Sequence, residues 1–215
     1  GQKVLERRDG SNDTYYVYNV YGELRFVLPP AYQSGGMVAD DAYEYRYDDQ
    51  GRMLYKKVPG CEYVSYGYDK GNRLVKMQDG VLRSKNLYRF MLYDGMSRLC
   101  LQGTCSAFDI GDRSATVNFS SSQTGLCNTG YSLEESSTLS NASLETVNYY
   151  DNYNFLSTSL LKNCGNASKF SKSGVNSAMG LQTGSVSSTT NGSLLYEVLY
   201  YDKFGQVTDS RRSYP

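Results

Sequence analysis

The chain has 215 residues, with 22 lysines and arginines balanced by 22 aspartates and glutamates, and it contains no histidine. The lack of histidine excludes the Ser-His-Asp and Cys-His arrangements of nucleophilic enzymes and any zinc site with histidine ligands. A formal net charge of zero argues against nucleic-acid binding, which needs surplus lysine and arginine to neutralise phosphates. No apolar run approaches the roughly 18 residues of a membrane helix.

One short pattern recurs along the chain: Tyr, then Asp or Asn, two variable residues, a small or turn-forming residue, one variable residue and an apolar residue. The six copies are YNVYGEL from Tyr18, YDDQGRM from Tyr47, YDKGNRL from Tyr68, YDGMSRL from Tyr93, YDNYNFL from Tyr150 and YDKFGQV from Tyr201. The first four follow one another at intervals of 21 to 29 residues, and the last two come after intervals of 57 and 51. This repetition predicts a repeat architecture.

Each copy predicts a β-hairpin. Before the turn, aromatic residues alternate with charged ones, as in a half-buried strand. The Asp or Asn then accepts backbone N–H bonds, and three residues later a Gly or Asn adopts positive φ. The predicted turn residues are Asn19, Gly22, Asp48, Gly51, Asp69, Asn72, Asp94, Asp151, Asn154, Asp202 and Gly205. Ser97 suits its position less well, so the fourth turn fits the pattern least.

A single hairpin is marginal in water, so the units must pair edge to edge. We therefore predict an all-β fold in which antiparallel β-hairpin repeats form a curved or spiralling sheet. The exceptions are a weak helical pattern over residues 132–146, a strand pair over 148–161 and a long loop over 163–192. Leu133, Leu139 and Leu144 are predicted core contacts.

We divide the chain into a hairpin array over residues 1–103, a Ser/Gly/Asn-rich insertion over 104–195 and a further repeat over 196–215. The insertion contains one degenerate repeat near 148–157, and we expect the last repeat to continue in the native polypeptide. The five cysteines lack the spacing of zinc or redox sites. They are small buried side chains, or they form one or two disulfides, or, as the least favoured alternative, they include a functional thiol. Cys100 and Cys105 are near enough in sequence to pair.

The repeats resemble the YD-repeat (Rhs) family, most closely in YRYDDQGRMLYKKVPG (residues 45–60) and YGYDKGNRLVKMQDG (residues 66–80). The block from YEYRYD to KMQDG also looks like the large Rhs-type proteins of Bacteroidetes. The resemblance implies a partial YD-repeat shell, part of a long β-spiral that in toxin systems encloses a C-terminal domain and in animal teneurins belongs to an adhesion receptor. It also implies a secreted or cell-surface location, and as partners the remainder of the polypeptide or a cognate C-terminal domain.

The tyrosines allow two interpretations. Packing across neighbouring strands explains their recurrence at one phase of every repeat, whereas a sugar-stacking platform would break the period at one place. Tyr149, Tyr150 and Tyr153 lie outside the regular array and are the candidate carbohydrate-binding residues. We predict no catalytic residue, metal site or cofactor. The predicted function is a non-catalytic structural segment, and the alternative is a carbohydrate-binding surface module.

Overall fold

Strands joined by tight turns make up most of the chain in the computed structural model, which describes residues 1–8, 12–109, 114–120, 125–133, 138–162, 167–171 and 178–213. The chain forms two compact units. Unit 1 comprises Gly1–Tyr68 and Lys76–Leu87, and unit 2 comprises Asp69–Val75 and Tyr88–Pro215. The strand pairs of both units are antiparallel and helices are few and short, so the predicted antiparallel β fold is confirmed.

Unit 1 is a series of strands, each paired with the next one in the sequence. They are β1 (Leu5–Arg8), β2 (Asn12–Tyr18), β3 (Leu24–Leu28), β4 (Tyr43–Tyr47), β5 (Met53–Lys57) and β6 (Val64–Tyr68). The short helices are α1 (Pro30–Gln33), α2 (Val38–Asp41) and α3 (Gly80–Ser84). Strand β7 (Leu74–Gln78) begins in unit 2 and ends in unit 1. Asp79 caps α3 by accepting a hydrogen bond from the backbone N–H of Leu82 at 2.8 Å.

Unit 2 contains a ladder of six strands and two small pairs. The ladder runs β8 (Tyr88–Tyr93), β9 (Leu99–Cys105), β14 (Ser143–Asp151), β15 (Ala178–Ser188), β16 (Leu194–Tyr201) and β17 (Val207–Ser213). The small pairs are β10 (Ala107–Asp109) with β13 (Thr138–Ser140), and β11 (Val117–Phe119) with β12 (Tyr131–Leu133). The remaining helices are α4 (Ser159–Lys162), α5 (Ala167–Phe170) and the 3-10 turns Leu126–Asn128 and Asn154–Ser157.

The core of unit 2 is built by a row of apolar side chains that crosses five strands. Leu92, Leu101, Val147, Val186 and Tyr196 stand opposite one another in register, and all are buried. Because directly opposed residues share one face of the sheet, the row forms a continuous apolar surface. Fully burying each aliphatic member contributes about 1.5–3 kcal/mol.

Three sequence predictions for the insertion are wrong. The described residues of 132–146 belong to the end of β12, to β13 and to the beginning of β14 instead of a helix, because Leu133, Leu139 and Leu144 pack on the core from strands. Residues 134–137 lie outside the described part of the chain. The strand pair over 148–161 is one strand followed by a 3-10 turn and α4, which bury Phe155 and Leu161. Within the predicted loop over 163–192, Ala178–Ser188 is β15, whereas residues 163–166 and 172–177 lie outside the described part of the chain.

Neither Cys100 nor Cys105 forms a disulfide, and both side chains are buried. Both lie on the single extended strand β9 with no loop between them, which keeps their side chains apart. Cys61 and Cys127 are also free, and Cys164 lies outside the described residues.

Gly103 is a position where β9 and β14 approach closely. A Cβ there would lie 2.1 Å from the carbonyl oxygen of Ser143 and 3.0 Å from the ring of Phe90. We expect Gly103→Ala to destabilise the protein by about 1–3 kcal/mol in urea unfolding, because the two strands must separate. Gly95→Ala is the control, since a Cβ at Gly95 meets nothing within 4 Å. Equal unfolding midpoints for the two variants would contradict this packing.

Candidate functional site

The hairpin turns share one hydrogen-bond pattern, shown by the turn at Asp48. Its Oδ1 accepts the backbone N–H of Gln50 and of Arg52, both at 2.9 Å. Gly51 has φ +76° and donates its N–H to the carbonyl of Asp48 at 3.0 Å. The corresponding residues of the other turns also have positive φ: Gly22 (82°), Asn72 (59°), Ser97 (62°) and Gly205 (79°). Ser97 thus adopts the same conformation despite its side chain.

An arginine four residues after the aspartate completes three of these turns, and it was not among the predicted site residues. The ion pairs are Asp48–Arg52 at 2.7 Å, Asp69–Arg73 at 2.7 Å and Asp94–Arg98 at 2.6 Å. In the first turn, Glu23 occupies the arginine position and accepts a hydrogen bond from the Asn19 side-chain amide at 2.7 Å. The signal was present in the sequence, because Arg recurs at one fixed offset from the turn aspartate.

Each of these arginines also contacts the tyrosine of a later strand. The guanidinium carbon lies over the ring centroid at 5.0 Å for Arg52 and Tyr68, 4.9 Å for Arg73 and Tyr93, and 4.4 Å for Arg98 and Tyr150. The same tyrosines donate their hydroxyls to the carbonyl just after the arginine: Tyr68 to Met53 (2.9 Å), Tyr93 to Leu74 (2.7 Å) and Tyr150 to Leu99 (3.0 Å). We call this set of contacts the Tyr-Asp-Arg link. It joins each turn to the strand that carries the motif tyrosine of the next repeat.

The second link, at Asp69 and Arg73, is the most deeply buried. The Asp69 side chain has no exposed surface, and that of Arg73 is 12% exposed. Asp69 also accepts the backbone N–H of Ala115 at 3.0 Å, and Arg73 donates to the Thr116 hydroxyl at 3.0 Å. Burial acts to raise the pKa of Asp69, but the hydrogen bonds from Arg73 and Ala115 outweigh it and lower that pKa. This turn therefore anchors the segment just before β11.

The repeat pattern breaks at Asp151, where the predicted hairpin turn does not form. Asp151 has φ +70° and accepts two hydrogen bonds from Arg98 at 2.9 and 2.6 Å, together with the backbone N–H of Gly180 at 2.7 Å. Asn154 starts a 3-10 turn, and its N–H bonds to the Asn152 side chain at 3.0 Å. The physical reason is Phe155, which occupies the position of the arginine and is buried in the core.

The structure contains one hairpin turn that was not predicted from the sequence. It joins β15 to β16 through Thr189, whose N–H bonds to the carbonyl of Ser193 at 2.8 Å, and Gly192, with φ +84°. Thr189 stands where the other turns have Asp or Asn. The dipeptide Asn191-Gly192 was the available signal, because Asn-Gly favours tight turns.

The candidate sugar-binding tyrosines have their ring faces covered by protein. Tyr149 is 1% exposed and stacks on Tyr131 and Phe155, with centroids 5.5 and 4.3 Å away. The ring of Tyr150 lies under Arg98, as described above. Tyr153 stacks on Tyr200 at 5.0 Å, and its hydroxyl donates to the carbonyl of Leu199 at 2.9 Å.

Unit 1 shows similar coverage in a separate stack of four side chains. Arg46 lies over Tyr55 at 4.6 Å, Tyr55 stacks on Tyr63 at 4.8 Å, and Arg83 lies over Tyr63 at 3.5 Å. Arg46 is held in turn by Glu44 at 2.7 Å. Neighbouring rings and guanidinium groups thus cover the ring faces of Tyr55 and Tyr63 within the protein.

Unit 2 has a cavity of about 190 Å³ beside the broken repeat, partly open to solvent. Its apolar wall includes the rings of Phe119, Tyr131 and Phe155, and its polar rim includes the Arg98–Asp151 pair. Across the described residues, no cluster of three or more Cys, Asp or Glu side chains could hold a metal ion. Among the same residues, no helix is long and apolar enough to cross a membrane.

Acid is expected to weaken the Asp151–Arg98 contact. Hydrogen bonds from Arg98 lower the pKa of Asp151 below that of an unfolded aspartate, near 3.9. A depressed folded-state pKa adds stability that is complete above the unfolded pKa and is lost as the pH falls through the folded one. We therefore expect the urea midpoint to fall between pH 7 and about pH 3, and to fall less in Asp151→Asn. Parallel losses in the two proteins would contradict this assignment.

Comparisons with known proteins give structural likenesses only. No protein-family model matches the sequence, and no curated protein matches it. The structure is similar to the crystal structure of TcdB2-TccC3-Cdc42 (TM-score 0.45, 11% identity, covering 91% of this chain and 8% of that one). It is also similar to the crystal structure of TcdB2-TccC3-TEV, with a TM-score of 0.43 and 12% identity, covering 94% of this chain and 10% of that one. A third similar structure is a Tc holotoxin pore of Photorhabdus luminescens, with a TM-score of 0.41 and 12% identity, covering 94% of this chain and 10% of that one. The chain spans about a tenth of the length of each.

Proposed function

We propose that this chain is a non-catalytic structural segment of a larger YD-repeat (Rhs-type) protein, secreted or displayed at the cell surface. In this role it builds part of a β-shell that encapsulates or presents another domain. The observation that carries the proposal is the Tyr-Asp-Arg link. The tyrosine, aspartate and arginine that define the motif contact one another between successive repeats, so the motif stabilises the sheet.

The edges of the strand ladders support the proposed partner, which is the remainder of the polypeptide. Among the described residues, β1 pairs only with β2, and β17 pairs only with β16. An edge strand leaves a row of backbone N–H and C=O groups available for a further strand. Strands from the same polypeptide would extend the sheet at these edges.

A surface module that binds carbohydrate on exposed tyrosines is less well supported. Sugar stacking needs an open ring face, and the faces of Tyr149, Tyr150 and Tyr153 contact Phe155, Arg98 and Tyr200. These contacts favour the packing interpretation of the tyrosines.

Electron cryomicroscopy of the longest natural polypeptide that contains this chain tests the proposal. We expect β17 to pair with another strand of the same polypeptide, and the sheet to border an enclosed space. A free-standing module whose β17 edge faces solvent would overturn the shell role.

A further inference from the structure

The cavity beside Asp151 lies at the one Tyr-Asp motif, among those of the described residues, that does not form a hairpin turn. Asp94 belongs to a regular turn, whereas Asp151 bends the chain without closing one, and both line the cavity. Arg98 joins the two carboxylates across it. The irregularity at Asp151 therefore coincides with a cavity opening.

The charged groups of the rim are already paired with one another. Asp94 accepts the N–H groups of Met96 and Arg98 together with the Arg98 side chain, and Asp151 accepts Arg98 and Gly180. The rim has two carboxylates and one guanidinium, so its net negative charge disfavours an anionic ligand. The carboxylate oxygens already accept hydrogen bonds within the protein, so they also bind a cationic ligand poorly. The rim thus suits an uncharged ligand.

Two exposed amides supply the remaining polar capacity. Within the described part of the chain, the Asn118 side chain makes no hydrogen bond, and Asn152 uses only its oxygen, toward Asn154. Each amide offers both donors and acceptors. Arg98 spends three N–H groups on the carboxylates and retains two more. Ligand hydroxyl groups, which both donate and accept hydrogen bonds, match these free donors and acceptors.

The wall opposite these groups is aromatic. The ring of Phe119 stands nearly perpendicular to those of Tyr131 and Tyr149, at 81° and 90°. Aromatic surface next to a few convergent polar groups is the usual composition of a small-molecule site. The volume of about 190 Å³ is below the roughly 300–1,000 Å³ of drug-sized pockets, which limits the ligand to a single small ring.

We propose that this cavity binds a small uncharged ligand with several hydroxyl groups, of the size of one sugar residue. Asn118, Asn152 and Arg98 would bond to its hydroxyls, and the half-buried ring of Phe119 would contact its C–H face, since Tyr131, Tyr149 and Phe155 are buried behind it. This binding activity is additional to the shell role and independent of it.

Saturation-transfer NMR of the whole chain with glucose, galactose, mannose and N-acetylglucosamine tests this site. Each sugar is used at about 10 mM, so that a complex with a Kd of about 1 mM is largely formed. We expect transfer to at least one sugar, and loss of that signal in Gly95→Trp, which places a large ring at the cavity wall. A Cβ at Gly95 meets no atom within 4 Å, so the substitution leaves the turn intact.

Lys203→Trp is the matched control, because Lys203 holds the same turn position after Asp202, is exposed and does not line the cavity. It should keep the signal, and Asn118→Ala with Asn152→Ala should weaken it several-fold. Silence of all four sugars with the unmodified chain would overturn the proposal. Equal transfer in Gly95→Trp and Lys203→Trp would also overturn it, since binding would then lie elsewhere.

Discussion

Replacing Asp69 with alanine is expected to destabilise the protein by about 3–5 kcal/mol, because it leaves a nearly buried arginine without its counter-ion. Asp69 has no exposed side-chain surface, and the Arg73 side chain is only 12% exposed. The substitution also removes the acceptor for the backbone N–H of Ala115. Urea unfolding followed by circular dichroism measures the loss.

Asp202→Ala is the control for the turn itself. Asp202 accepts the N–H groups of Phe204 and Gln206 at 2.8 and 2.9 Å, but Gln206 stands where the other turns have arginine. We expect a loss of about 1 kcal/mol, the usual net value of a protein hydrogen bond. If both variants lost the same stability, the buried ion pair would have no special role in the third repeat.

Tyr149→Ala is expected to cost about 3–5 kcal/mol, as for other large aromatic side chains removed from a core. The ring is 1% exposed and lies between Tyr131 and Phe155, and its hydroxyl donates to the carbonyl of Thr129 at 3.0 Å. Tyr149→Phe keeps the ring and should cost only about 1 kcal/mol. Thermal or urea unfolding separates the two effects.

Tyr21→Ala is the control, because it removes an exposed tyrosine ring. Tyr21 is 86% exposed at the tip of the first turn, and surface substitutions of this kind change stability by about 0.5 kcal/mol or less. A stable, well-folded Tyr149→Ala protein would show that the ring is not part of the core. In that case the stacking described for unit 2 would be incorrect.

The regular part of the fold was predictable because its signal is local. An aspartate followed after three residues by Gly or Asn favours a turn through contacts within five residues, as at Asp48 and Gly51. Alternation of tyrosines with charged residues specifies the strand before it, as in Tyr43–Tyr47. Both signals lie within a few residues of one another, so no knowledge of the tertiary structure is needed.

The irregular part depended on contacts that are distant in sequence. Asp151 carries the same Tyr-Asp dipeptide as the other turns, yet its partner is Arg98, 53 residues earlier. Phe155 prefers the core to a turn because burying an aromatic ring outweighs the local turn preference. β12, β13 and the first part of β14 likewise became strands through pairing that their own sequences do not predict, whereas residues 148–151 of β14 lie in the predicted strand pair.

The site was only partly predictable for the same reason. The turn aspartates were visible as a motif, but the stacking of Arg52 on Tyr68 depends on how successive hairpins align. Tyr149, Tyr150 and Tyr153 stood out because they broke the period. That break marks a cavity and not an open row of rings, since the ring faces are covered.

A double-mutant cycle on Arg98 and Asp151 tests the central claim that turn residues hold successive repeats together. The two side chains lie 2.6 Å apart and are 21% and 30% exposed. The single variants Arg98→Met and Asp151→Ala and the double variant are compared by urea unfolding. We predict a coupling free energy of about 1–3 kcal/mol, as for residues in one ion-pair network. Losses that add within about 0.5 kcal/mol would contradict the account, because the two repeats would then be stabilised independently.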